Sequence, residues 1–219
     1  MKRLLWLLMA SASLAGCGSL FQTKAAPPTM YLLSMTKPAA ANAVALPVDV
    51  AVLNPKVRAG LDTDRIALLY PDRRLDYFAN VRWSGPVDEL IQELAVQEFH
   101  ASGGVRNVSG DASVFSSGYW LEIEVADFQA EYPAGGQGSG AGGAASSDPP
   151  SVHVHLIARI GSSGERRIIA RFEAESRQPA ASNRMSAIVD AYNRAANQAL
   201  MQIAADSMAA LEPLQSKGR

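Results

Sequence analysis

The stretch YWLEIEVADFQAEY, residues 119–132, decides how the rest of the chain is read. Leu121, Ile123 and Val125 alternate with Glu122 and Glu124, the period of a strand with one dry face and one wet face. Two later segments repeat the pattern. Val152, Val154, Leu156, Ala158 and Ile160 mark one strand, and Ile168, Ala170, Phe172 and Ala174 another, with the turn Gly161-Ser162-Ser163-Gly164 between them. Residues 134–150 (AGGQGSGAGGAASSDPP) hold almost nothing of size. They read as a Gly-rich loop inside the domain, because the segments on either side look like hairpin partners.

Upstream, Val48, Val50 and Val52 form a strand ended by Asn54-Pro55, and Met30 to Met35 a shorter one after which residues 36–47 read as a loop. Residues 65–69 and 75–79 are strands around a hairpin turn at Tyr70 to Arg74. Val105 to Val108 is a brief strand. Two helices interrupt this order. The first opens at Ser84-Gly85-Pro86, carries Asp88 and Glu89 in its first turn and ends at Gly103-Gly104. Its Val87, Leu90, Ile91, Leu94, Ala95 and Phe99 recur every three or four residues. The second spans Met185 to Leu211, with Ile188, Tyr192, Ala196, Ala199 and Ile203 near one face and Pro213 closing it. The expected fold is α+β: one domain, a mostly antiparallel sheet, two amphipathic helices packed on one of its faces.

Composition narrows the chemistry. In 219 residues, 48% hydrophobic and 19% charged, there is ample material for a core and none of the bias of a disordered chain. Twenty basic against 21 acidic residues exclude a basic nucleic-acid footprint. One cysteine excludes a disulfide framework and a cysteine-based zinc site within one chain. The pair His153-x-His155 has a spacing some metal sites use, but no third ligand is evident beside it, so a solvated strand face is the plainer reading. The Gly run 135–143 precedes a strand, where a phosphate loop would precede a helix. Asp62-Thr63-Asp64 starts like a calcium loop and lacks the rest, so it reads as a turn. No catalytic residues, metal site or cofactor are expected. Aromatic and basic residues gather between 70 and 83, where Tyr77, Arg82 and Trp83 are the candidate partner-binding residues. Local packing, with Trp83 tucked under the following helix, is the competing reading.

The N-terminus has its own logic. Lys2 and Arg3 precede a twelve-residue apolar run, Leu4 to Ala15, too short to span a bilayer and right for a signal segment. It ends in Leu14-Ala15-Gly16-Cys17, which resembles the bacterial lipobox. That resemblance implies cleavage between Gly16 and Cys17 and a diacylglycerol and an N-acyl chain on the Cys17 thiol. Two or more buried tails give stable anchoring. Residues 1–16 are then the signal peptide, 17–29 the acylated Cys and tether, 30–213 the domain and 214–219 a tail. Gly18 stands where inner-membrane lipoproteins commonly carry Asp, which implies the outer membrane and a periplasm-facing protein.

The order of motifs in the domain resembles a known family. Gly60-Leu61-Asp62-Thr63-Asp64-Arg65-Ile66, then Leu75-Asp76-Tyr77-Phe78-Ala79-Asn80-Val81-Arg82-Trp83, then a helix from Pro86 to Ala101, is similar to the ABC-type transport auxiliary lipoprotein family, which includes the PqiC-like group. Tyr31-Leu32-Leu33 after the tether and the Ala-rich last helix fit the same pattern. The resemblance implies a non-enzymatic accessory of an ABC transporter whose partner protein carries a mammalian-cell-entry domain, in a system moving phospholipids or other hydrophobic molecules between membranes. It also implies that copies can form a homo-oligomeric ring. The alternative is a structural lipoprotein that assists outer-membrane barrel or lipopolysaccharide assembly.

Overall fold

Strand β7 (Tyr119–Glu131) is the element to which the others are fixed in the computed structural model, which describes residues 27–35, 45–110, 116–133 and 148–216. Along one edge β7 pairs over its whole length with antiparallel β8 (Ser151–Ser162), which pairs in turn with antiparallel β9 (Arg167–Pro179). Along the other edge three short strands lie end to end, all parallel to it. They are β2 (Leu46–Val52), β3 (Lys56–Val57) and β4 (Arg65–Leu69). Outside β4 come antiparallel β5 (Leu75–Trp83) and then β1 (Thr29–Tyr31), parallel to β5. Outside β2 comes β6 (Val105–Ser109), parallel to it. A parallel pair needs a crossover, and helix α1 (Val87–Ser102) lies within the connection between β2 and β6. The last element is helix α2 (Met185–Ser216).

The α+β class and the two-helix layer are as the sequence leads one to expect. The long ladders are antiparallel, and the nine-stranded sheet is mixed because the short strands β2, β3 and β4 all run with β7. The two-residue strand β3 was not foreseen, being too short to show any period. The strand expected over 75–79 runs on to Trp83, past Asn80 at φ 58°. Pro213 does not end α2: it is exposed in the last turn, where its missing N–H forfeits one hydrogen bond and the helix continues to Ser216. Helix α1 does end where expected, on Gly103 at φ 60°, a conformation that favours glycine. The Gly-rich loop, apart from its last residues, and the segment 1–26 with Cys17 lie outside the described residues.

A bulge organises β7. Its pairing with β8 shifts between Val125 and Asp127. Before it, Leu121, Ile123 and Val125 face the helices; after it, Phe128 and Ala130 do, and all five are buried. The bulge thus keeps the dry face dry although the polar positions change from even to odd numbers. On that face Trp83 of β5, Phe128 and Tyr192 of α2 form a cluster with ring centroids 5.1 to 6.0 Å apart, and Trp83 meets Tyr192 edge-on. The Tyr192 hydroxyl donates to the Ala67 carbonyl at 2.6 Å, tying α2 to β4, and its burial holds the phenol well above its ordinary pKa.

Glu98 of α1 is a buried acid in this apolar layer. Its Oε2 has no hydrogen-bond partner among the described residues, and burial raises its carboxyl pKa. A raised acid pKa costs stability above the unfolded value, and the cost disappears as pH falls below it. Glu98→Gln is therefore expected to raise Tm by about 2 °C or more at pH 7. In thermal melts across pH the gain should shrink toward zero below about pH 4, where both states are protonated.

Candidate functional site

The face of the sheet away from the helices is laid out in rows of opposite charge. Glu122 of β7 pairs with Lys56 of β3 and, at 2.9 Å, with Arg159 of β8, which also reaches Glu124 at 3.4 Å. Further along, Asp127 takes Arg58 at 2.9 Å and lies 3.5 Å from Nδ1 of His155. In the next row Glu131 Oε1 is 2.9 Å from Nδ1 of His153, whose Nε2 is 3.0 Å from Glu175 of β9. Arg177 binds both carboxylates, at 2.6 and 3.1 Å. The two imidazoles stack, 6.4 Å apart and nearly parallel.

These partners set the charge states. The hydrogen bond from Lys56 is the main reason the Glu122 carboxyl is held below its ordinary value. Burial pushes Glu131 upward, but hydrogen bonds with His153 and Gln129 outweigh it and the net direction is down. For Glu175 the hydrogen bond from Arg177 leads. His153-x-His155 therefore does not sit on a solvated strand face short of acidic neighbours. His153 is buried, and β7 and β9 bring a carboxylate to either side of it, cross-strand neighbours that no spacing within β8 reveals. Among the described residues no group of three or more His, Cys, Asp or Glu is arranged to hold a metal ion.

At the β4–β5 end of this face lies a cleft of about 390 Å³. Gln129, Glu131 and His153 form its floor, Arg177 its rim, and Leu61, Leu69 and Leu75 its apolar side. The loop after β3 makes the remaining wall and is pinned at two points. Arg58 binds Asp127, and the Tyr77 hydroxyl donates to the Gly60 carbonyl at 2.7 Å. Gly60 has φ 88°, and a Cβ there would lie 2.9 Å from a Leu75 methyl, so the turn takes glycine on both counts. The Arg65 guanidinium lies 3.8 Å over the Tyr77 ring.

Of the three residues expected to bind a partner, two are at the surface. Tyr77 is half-buried as the strut of the cleft wall. Arg82 is exposed, with both oxygens of Asp64 at 2.7 and 2.8 Å from one guanidinium nitrogen. Trp83 is corrected: it has no exposed surface and packs in the aromatic cluster, so it offers a partner no contact area. The floor of the cleft was not anticipated. The one trace of it in the sequence is the change from even to odd polar positions across Ala126, which exposes Asp127, Gln129 and Glu131 on the open face.

Solved structures share this architecture. A Xanthomonas campestris protein of the DUF330 family superposes with a TM-score of 0.73 at 19% identity, covering 86% of this chain and 99% of its own. A second crystal structure, of an uncharacterised protein, gives 0.62 at 14%, covering 82% and 98%. At such identities the likeness is one of fold. No curated protein matches the chain by sequence. The fold class is thus that of a small α+β domain. The family follows from a match over residues 31–204: the chain belongs to the ABC-type transport auxiliary lipoprotein component family.

Trp83→Ala should lose about 3–5 kcal/mol, the usual cost of emptying an aromatic core position, and show it in denaturant unfolding. Tyr77→Phe removes one hydrogen bond, about 1 kcal/mol, and its effect should be local: faster amide exchange at residues 58–64 with the core amides unchanged.

Proposed function

We propose that this protein is a non-enzymatic accessory subunit of an ABC transport system, held in the outer membrane by acyl chains on Cys17 and facing the periplasm. Its role is to dock the periplasmic end of a partner bearing a mammalian-cell-entry domain, in a system that moves phospholipids or other hydrophobic molecules between membranes. The observation that carries the reading is the family match over residues 31–204 behind the sequence Leu14-Ala15-Gly16-Cys17. The covalent lipid is the only non-protein group the reading requires, and a ring of identical subunits is the assembly it favours.

Tyr77 and Arg82 are the proposed contact residues. Arg82 is half-exposed and its one acidic partner, Asp64, is exposed as well, so the pair contributes little to folding and is free to exchange partners.

The experiment is affinity purification of the lipidated protein from detergent-solubilised membranes, with co-purifying proteins identified by mass spectrometry. Recovery of a mammalian-cell-entry protein with its permease and ATPase is the expected result. Recovery of an outer-membrane barrel without them would move the assignment to envelope assembly. Arg82→Glu should reduce partner recovery at least tenfold while leaving Tm within about 2 °C, since exposed pairs are worth at most about 1 kcal/mol. A collapse of Tm together with recovery would make Arg82 structural.

A further inference from the structure

Trp120 lies on the helix-free face of the sheet at the end of β7 opposite the cleft, and nothing above uses it. Its neighbours in register are Ala51 on β2 and Gly161 on β8, the two smallest side chains available. The indole rests directly on Gly161: a Cβ there would come within 2.1 Å of its Cζ2 and 2.4 Å of its Cε2. The ring is therefore laid against the backbone, and it remains partly exposed. It forms part of a hollow of about 530 Å³, within the size range of ligand pockets. Ser116, Ser117 and Ser163 line the same hollow. Their hydroxyls make no hydrogen bond among the described residues, and neither does the Trp120 N–H, whereas most polar side chains on this face of the sheet are paired.

We infer that this hollow is a binding site for a neutral saccharide, the glycosyl ring stacking on Trp120 with its hydroxyls bonded to the three serines and Glu122. The chemistry selects that class. The negative π face of an indole attracts the polarised C–H groups on the apolar face of a sugar ring. Each serine hydroxyl can both donate and accept, matching sugar hydroxyls that do the same. Glu122 is held by Lys56 and Arg159, yet a carboxylate has about four lone-pair sites and can accept further hydrogen bonds. Those two cations are balanced by Glu122 and Glu124, so the site offers an anionic ligand such as a phosphate no net positive charge. A bare acyl chain would leave the hydroxyls and the carboxylate desolvated without hydrogen bonds. The site stands independently of the transport reading.

The test uses the full lipidated protein in a zwitterionic, sugar-free detergent. Chitotriose, cellotriose and maltotriose are titrated while tryptophan emission and saturation-transfer NMR on the sugar protons are followed. Trp83 is fully buried and provides a constant background. At least one trisaccharide should give a saturable emission change with a Kd on the order of 1 mM or tighter. Trp120→Ala should abolish both signals. Gly161→Val, which displaces the ring from the sheet, should weaken binding at least tenfold. Where either variant fails to keep the wild-type Tm, Ser117→Ala with Ser163→Ala takes its place and should weaken binding at least threefold. The inference is overturned by the absence of any saturable response to all three sugars, or by a response that survives Trp120→Ala. It is overturned equally by an emission that changes only with protein concentration, which would mean that a second copy covers the indole.

Discussion

Everything in this molecule depends on β7 serving two edges and two faces at once. One edge carries β8 along its whole length, and the other is shared by β2, β3 and β4 in succession. One face must be dry to receive α1 and α2, and the other carries rows of ions. A uniform alternation over thirteen residues could not meet these demands, because Asp127, Gln129 and Glu131 would then turn toward the helices. The bulge beside Ala126 resolves the conflict by changing the phase once. Phe128 lands between Trp83 and Tyr192, and the carboxylates land opposite Arg58, His153 and Arg177.

The two faces are stabilised by different physics. Transfer of large apolar side chains from water, at about 25 cal/mol per Å², dominates on the helix side, where Trp83, Tyr192, Phe99 and Phe128 are all but fully buried. On the open side most ion pairs are partly exposed, and such pairs contribute little each. Their effect is register and shape: Arg177 and His153 link three strands, and Arg58 pins the loop that walls the cleft. The Glu98 carboxyl, buried with its Oε2 unpartnered among the described residues, runs against the general pattern of the core and is a place where the apolar layer gives up stability.

Most of the architecture was legible in the sequence because it rests on period. The three long strands, both helices and the glycine that ends α1 declare themselves through alternation, heptad-like spacing and backbone freedom. What was not legible depends on neighbours distant in the chain. β3 is too short to have a period and exists because Lys56 and Val57 find an edge of β7 to join. Trp83 sits among surface-type residues and looks like one of them, but its strand runs on under α2 and buries it. His153 and His155 looked solitary because their carboxylates come from β7 and β9. The Cys17 reading rests on the local sequence alone, and the fold says nothing about it.

The same arrangement governs the time course of folding. The edge of β7 that receives β2, β3 and β4 is synthesised long after them, and α2, which completes the aromatic cluster, comes last. Until the second half is present, the first half can close only the β4–β5 hairpin and the edge pairings of β1 and β6, not the central ladder. Loop closures of that length must be paid for in entropy before any long-range contact is made, so this topology belongs with slow, high-contact-order folders. The β7–β8–β9 meander is the largest part assembled from sequence neighbours, which makes it the natural nucleus, and any process that delivers the chain to its compartment from the N-terminus keeps the domain unfolded until its end has emerged.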